Sequence, residues 1–310
     1  MQGLEISRAY FTRYGLPMLE SGFGDYTDKI AAGLVGQGSE CFGFDDEFSR
    51  DHDFGPGFCL WLPEDLDRTI GPALQEAYDA LPQNIDLCET SMLTPERGRR
   101  VGVHAIGSFY RGLIGRPDAP QDNLDWLRIP ERFLATAANG QVFQDPLGEF
   151  SRIRSALLAF YPQDVALKRL AARCAVMGQA GQYNYVRCIR RKAYAAANLA
   201  CGEFAMAALG ALYLLNRKYM PFYKWAFRGT ENFVELGECA RDVETLVLLS
   251  DERESSRKML LIEKICIRIQ DEIRERGGPF APSRFMQDCA EQIMGLIQDP
   301  QIRSLPILAD

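Results

Sequence analysis

The chain has 310 residues, enough for two ordinary domains or one large one, and enough to bury a core without disulfide or metal staples. Acidic residues number 42 and Lys plus Arg 35, so the formal charge of −7 argues against broad, unspecific binding to nucleic acid or an anionic membrane. With 47% apolar and 25% charged residues, global disorder is excluded.

The first predicted element is a strand over the apolar run 30–35, stopped by Gly36-Gln37-Gly38-Ser39. A second strand is expected at Phe58-Cys59-Leu60-Trp61-Leu62, ended by Pro63. Residues 65–81 read as a helix, because Leu66, Ile70, Leu74 and Tyr78 recur on one face; Gly71-Pro72 should kink or split it. A third strand is expected over 101–106. Strand, strand, helix, strand points to an α/β domain, placed at residues 1–145.

From about Leu147 the texture becomes helical, and an all-α bundle of five or six helices is expected over 146–310. Pro162 should open a helix at its first turn, with Asp164 favouring the positive end of the dipole. Residues 165–216 contain no proline and should form two or three helices, with a break around Gly178-Gln179-Ala180-Gly181. Further helices are expected over 222–249, 255–276 and 282–298, the last two separated by Gly277-Gly278-Pro279. The most apolar stretch, 199–215, contains Glu203 and falls short of the roughly 20 apolar residues that span a bilayer, so it reads as a buried bundle helix.

Nine cysteines form no CxxC pair, so free thiols and a cytoplasmic location are expected, in keeping with an N-terminus that lacks a signal-peptide pattern. Only His52 and His104 are present, which disfavours a His-rich metal site or a Ser–His–Asp triad. P-loop, GxGxxG, GxSxG and HExxH patterns are all missing.

The strongest chemical signal lies between Gly33 and Leu62. After Gly38-Ser39 and eleven intervening residues comes Asp51-His52-Asp53. If extended, this tripeptide puts both carboxylates on one side, with Cα atoms about 6.6 Å apart, and His52 on the other. Such a pair can grip one or two Mg²⁺ ions, which favour oxygen ligands and phosphate. Gly38 lets backbone N–H groups approach phosphates, and the Ser39 hydroxyl adds a donor. The bland alternative is an acidic surface loop, since Asp45, Asp46 and Glu47 lie nearby.

This pattern resembles that of the polymerase-beta-type nucleotidyltransferase superfamily, an apolar residue, Gly, Gly or Ser, a spacer, then acid–apolar–acid, except that His52 stands where the apolar residue is usual. The string from Gly38 to Leu62 is similar to a narrower bacterial group of nucleotidyltransferase-like proteins classed as a domain of unknown function. The likeness continues through Ile129-Pro130, Asn139-Gly140-Gln141-Val142-Phe143, Gly181-Gln182-Tyr183-Asn184-Tyr185, Leu215-Asn216 and Pro221-Phe222-Tyr223-Lys224-Trp225. It implies an α/β (α+β) mixed-sheet catalytic domain followed by a helical substrate-binding bundle, as in antibiotic nucleotidyltransferases. It also implies a third carboxylate on a neighbouring strand. Here the sequence departs: the strand over 101–106 offers His104 and no acid, while Asp86, Glu89 and Asp145 are possible substitutes.

In the helical half, Gln179, Gln182, Tyr183, Asn184, Arg187, Arg190 and Arg191 fall within thirteen residues. Tyr183, Arg187 and Arg190 or Arg191 recur at helical spacing, forming a basic face that could hold a triphosphate or an anionic acceptor, or be an ordinary solvated face. Lys224 could neutralise phosphate or lie on the surface; Trp225 reads as core packing ahead of base stacking. The expected activity is Mg²⁺-dependent transfer of a nucleoside monophosphate, AMP foremost, from an NTP to a hydroxyl of a small molecule or protein. Asp51 and Asp53 would hold metal. Gly38, Ser39, Arg187 and Lys224 would contact the nucleotide, and Gln179, Gln182, Tyr183 and Asn184 the acceptor or phosphates. Neither a membrane nor nucleic acid is an expected partner. The alternative is a catalytically weak or inactive nucleotide-binding regulator, motivated by the missing strand acid.

Overall fold

The computed structural model describes residues 2–50, 55–82, 100–278 and 283–309. The described chain packs as two compact units: residues 1–120 with 132–159, and residues 121–131 with 160–310. The expected division at 145/146 falls inside the first unit.

The first unit is built on a four-stranded mixed sheet. Its strands are β1 (Ala31–Leu34), β2 (Cys59–Leu62), β3 (Gly102–Ala105) and β4 (Gln141–Gln144), in the order β3-β2-β1-β4. β1 and β2 are central, and every residue of both is buried, which explains unbroken apolar runs where a one-faced strand would alternate. β2 runs antiparallel to β1, with Ala32 opposite Leu60. β3 runs parallel to β2, with His104 opposite Trp61. A parallel neighbour requires a crossover, supplied by the helix Glu64–Asp79.

That helix is continuous, although Pro72 lies inside it. Proline removes one backbone donor, but burial of Ile70, Leu74 and Tyr78 keeps the helix continuous through the loss. One core joins these residues to Tyr10, Phe11 and Leu19 from the N-terminal helical segment and to Phe58, Leu60 and Leu62. On the other side, Trp61 stacks on Phe150 with ring centroids 3.8 Å apart. β4 was not expected. Its sequence, Gln-Val-Phe-Gln, is too polar and short to announce a strand, and it sits at the edge, half-buried.

The second unit is helical throughout its described residues. The helix Gln163–Val176 follows Pro162, which stands at the N-cap. No break follows at Gly178–Gly181. Residues 177–185 continue as a widened helical stretch into Val186–Arg190. The glycines there serve close approach: a Cβ on Gly178 would meet the backbone of Gln287 at 2.8 Å, and one on Gly181 would strike the ring of Phe204. The break falls instead at residues 191–193, where Lys192 has φ +57°.

The helix Tyr194–Leu215 has 22 residues, longer than the apolar run suggested, and by length and composition it could cross a membrane. Two-thirds of its apolar window (67%) is buried, and its C-terminal half is almost wholly enclosed, so it is the core helix of this unit. The single helix expected over 222–249 is divided into Tyr223–Ala226, a short turn at 228–230, and Gly237–Leu248. The helix Ser255–Glu275 matches its expected span closely, and Met286–Leu296 is shorter than the expected 282–298, beginning after Phe285. The former ends in a Schellman motif: Gly277 (φ +78°) donates to the Arg274 carbonyl and Gly278 to that of Ile273.

Candidate functional site

The turn leaving β1 is the best-defined feature of the first unit. Gly36 and Gly38 have φ of +120° and +125°, conformations that side chains oppose. Asn139 clamps the turn from both sides. The Gly36 N–H donates to Asn139 Oδ1 at 2.8 Å, and Asn139 Nδ2 donates back to the Gly36 carbonyl at 2.8 Å. Gly140 donates to the Cys41 carbonyl at 2.8 Å, and a Cβ on it would run into the carbonyl of Leu34. Behind this pair, Arg154 donates to the carbonyls of Asn139 (3.0 Å) and Gly140 (2.9 Å). The reciprocal amide clamp gives a physical role to Asn139-Gly140, a pair that stands out in the sequence only as part of a family likeness.

Beside this turn lies a cleft of about 560 Å³. Gly36 and Gln37 form one part of its wall, and His104, Ser108 and Phe109 another; Asp67 and Arg100 also reach it. The His104 Nε2 is buried and has no hydrogen-bond partner. The ring's remaining nitrogen hydrogen-bonds the backbone of Val101. Burial pushes the imidazole below its ordinary range, outweighing that bond, so it is neutral at pH 7. Leaving a buried acceptor unsatisfied costs about 1–3 kcal/mol.

Asp51, His52 and Asp53 lie outside the described residues, as do Asp86 and Glu89. Gly38 and Ser39 are half-buried where the four-residue helix Ser39–Phe42 begins. Asp145 is committed elsewhere: its carboxylate accepts from Gly148 N at 3.0 Å and Ser151 N at 2.7 Å, capping the helix Glu149–Leu158. Among the described residues, no three His, Cys, Asp or Glu side chains stand together as metal ligands. The paired carboxylates at 51 and 53 are hard oxygen donors of the kind Mg²⁺ takes, and Asp67 is the one carboxylate lining the described cleft.

The helical candidates divide by geometry. Arg187 stacks its guanidinium over the half-exposed Tyr183 ring, 4.9 Å from the centroid, and Gln179 and Asn184 are exposed. Gln182 is occupied at both ends of its amide. It donates to Glu263 (2.9 Å) and to the Arg284 carbonyl (3.0 Å), and accepts from Met286 N (2.8 Å), tying two helices together. Lys224 is exposed over the Trp225 ring at 5.3 Å. Asn216 is a loop tie to the backbone of Glu235.

Residues 126–226 match the family model described as a domain of unknown function (DUF4037). That span contains Asn139-Gly140, the Gln182 segment and Lys224-Trp225. No curated protein matches the chain. Among solved structures, a nucleotidyltransferase-like protein from Exiguobacterium sibiricum 255-15 is similar over 93% of this chain and 89% of its own, with 12% identity and a TM-score of 0.36.

Proposed function

We propose that the chain is a Mg²⁺-dependent nucleotidyltransferase that moves a nucleoside monophosphate from an NTP, ATP foremost, to a hydroxyl. The observation that carries this reading is the clamped Gly36–Ser39 turn beside a cleft, followed in sequence by Asp51 and Asp53. Asp51 and Asp53 would hold the metal, which when bound would neutralise phosphate charge. The Gly38 backbone and Ser39 hydroxyl would orient the phosphates. The first unit would carry the chemistry, and the helical second unit would add further substrate contacts. Arg187 and Lys224 supply exposed positive charge for a nucleotide, and Tyr183, Asn184 and Gln179 supply exposed polar groups for phosphates or an acceptor. Gln182 would have to release its bonds to join them. Such an enzyme would work in the cytoplasm.

The test is pyrophosphate release from ATP in the presence of Mg²⁺. Asp51→Asn combined with Asp53→Asn should abolish it while the fold, followed by circular dichroism, stays intact. Unchanged release by that double variant would sink the proposal. A second reading, a regulatory nucleotide binder without turnover, draws on the absence of an acid from β3. It would gain if the wild type bound Mg–ATP yet released no pyrophosphate with any acceptor class.

A further inference from the structure

We infer that the cleft beside the Gly36–Gly38 turn seats the hydroxyl acceptor of the transfer, and that His104 Nε2 takes the proton from that hydroxyl. The inference rests on the nucleotidyl-transfer reading. It starts from one anomaly: Nε2 is a buried ring nitrogen without a partner, in a side chain that lines a cleft. A neutral imidazole carries one lone pair, and the nearby Val101 backbone favours the proton on the other ring nitrogen, which leaves the lone pair on Nε2. A lone pair selects its ligand. A phosphate or carboxylate oxygen would set lone pair against lone pair, whereas a hydroxyl donates.

The surroundings fit a neutral, hydroxylated molecule. Ser108 and Gln37 are exposed polar groups on the walls, and the Phe109 ring, 5.7 Å from the imidazole, offers an apolar face. Arg100 and Asp67 bring one charge of each sign to the same cleft, so it has no strong preference for a charged ligand. β3 presents His104 opposite Trp61 of the central β2, which fixes the position of the backbone carrying the base.

The step balances as written. The acceptor O–H proton moves to His104 Nε2. The freed oxygen pair forms a new bond to the α-phosphorus. The bond from that phosphorus to its bridging oxygen breaks, and its electron pair leaves with pyrophosphate. A positioned general base contributes about 10²–10⁴-fold to such a step.

The experiment compares wild type, His104→Ala, His104→Gln and Asp67→Asn, with Mg–ATP as donor and water or glycerol as acceptor probe. Calorimetry with Mg–ATP and a thermal melt report binding and folding separately. His104→Ala and His104→Gln should bind Mg–ATP as wild type does, yet lose about 10²-fold or more in pyrophosphate release. Added imidazole should restore part of the His104→Ala rate, which a merely structural role would not allow. Wild-type rates in both His104 variants would overturn the base, as would loss confined to Asp67→Asn, and either would leave the transfer reading standing. Wild-type protein that neither binds Mg–ATP nor releases pyrophosphate would remove the transfer reading, and the acceptor site with it. If wild type binds Mg–ATP without turnover, His52→Gln leaves His104 as the sole histidine for ¹⁵N NMR. A glycerol-dependent shift of its Nε2 resonance supports the acceptor site; an unmoved resonance overturns it. A variant that fails to melt cooperatively is replaced by the same NMR test, with the same two outcomes.

Discussion

Lys258 is fully buried, and an isolated ammonium could not remain charged there. It survives because Asp251 stands 2.6 Å from its Nζ, with the Tyr185 hydroxyl donating to the same carboxylate at 3.0 Å and Asn198 at 3.1 Å. Burial alone would push the Asp251 carboxyl up, but the bonds from Lys258, Asn198 and Tyr185 outweigh it and hold the group below the usual carboxylate range. A depressed folded pKa contributes stability above the unfolded value, near 3.9, and loses it as pH falls through the folded value. The contribution should therefore be complete at neutral pH and vanish in strong acid. Asp251→Ala leaves Lys258 uncompensated and should cost about 3–5 kcal/mol in urea unfolding at pH 7. Adding Lys258→Met should recover much of that loss, since replacing a buried pair with apolar atoms is often near neutral. A loss under 1 kcal/mol in the single variant would mean that the charges are not confined as described.

At the scale of elements, two helix ends in the second unit close with the wrong residue. After Val186–Arg190, Lys192 donates to Ile189 and Ala193 to Cys188; after Tyr194–Leu215, Arg217 donates to Leu214 and Lys218 to Tyr213. Both are Schellman closures, with Lys192 (φ +57°) and Arg217 (φ +51°) in the left-handed place that glycine fills at Gly277. A side chain there costs about 1–2 kcal/mol relative to the right-handed conformation. Lys192→Gly and Arg217→Gly should each raise stability, by about 0.5–1 kcal/mol after glycine's extra chain entropy, read as a higher urea midpoint. A lower midpoint would contradict the closure. These ends also show what sequence could and could not reveal. The stop at Gly277 was legible because its residue matches its conformation; the stop at Lys192 was not. At Gly178 and Gly181 the same residue type misled, since glycine serves close helix packing as well as chain reversal. β1 and β2 were legible from apolar runs because burial on both faces demands them; β3, half-buried at the end of the sheet, shows a similar run, whereas polar β4 owes its pairing to β1. The Gly36–Ser39 segment was legible as a glycine turn ending β1, but its clamp was not: Asn139 acts across 103 residues of chain, a contact no local pattern encodes.

For the whole molecule, two units with separate cores should unfold as two cooperative bodies, each internally concerted. The thiols provide natural reporters. Cys41 and Cys59 are buried in the first unit; Cys174, Cys201, Cys239, Cys266 and Cys289 are buried in the second, while Cys188 is only half-buried. A buried thiol cannot react with an aqueous disulfide reagent until its surroundings open, and burial pushes the Cys239 thiol up to about 12, which further suppresses its thiolate. In native protein, Cys188 should therefore react first among the described cysteines. As urea rises, Cys41 and Cys59 should become reactive at one midpoint, because the same sheet and its flanking elements must part to release either. The five buried thiols of the helical unit should share a midpoint of their own, because Gln163–Val176 and Tyr194–Leu215 carry two of them through a common core. Pulsed labelling followed by peptide mass spectrometry reads each site separately. Cys41 and Cys59 opening at different urea concentrations would show that the glycine turn frays apart from the sheet. The clamp of Asn139 on Gly36 would then be too weak to hold a phosphate cradle in place, so the same measurement bears directly on the proposed site.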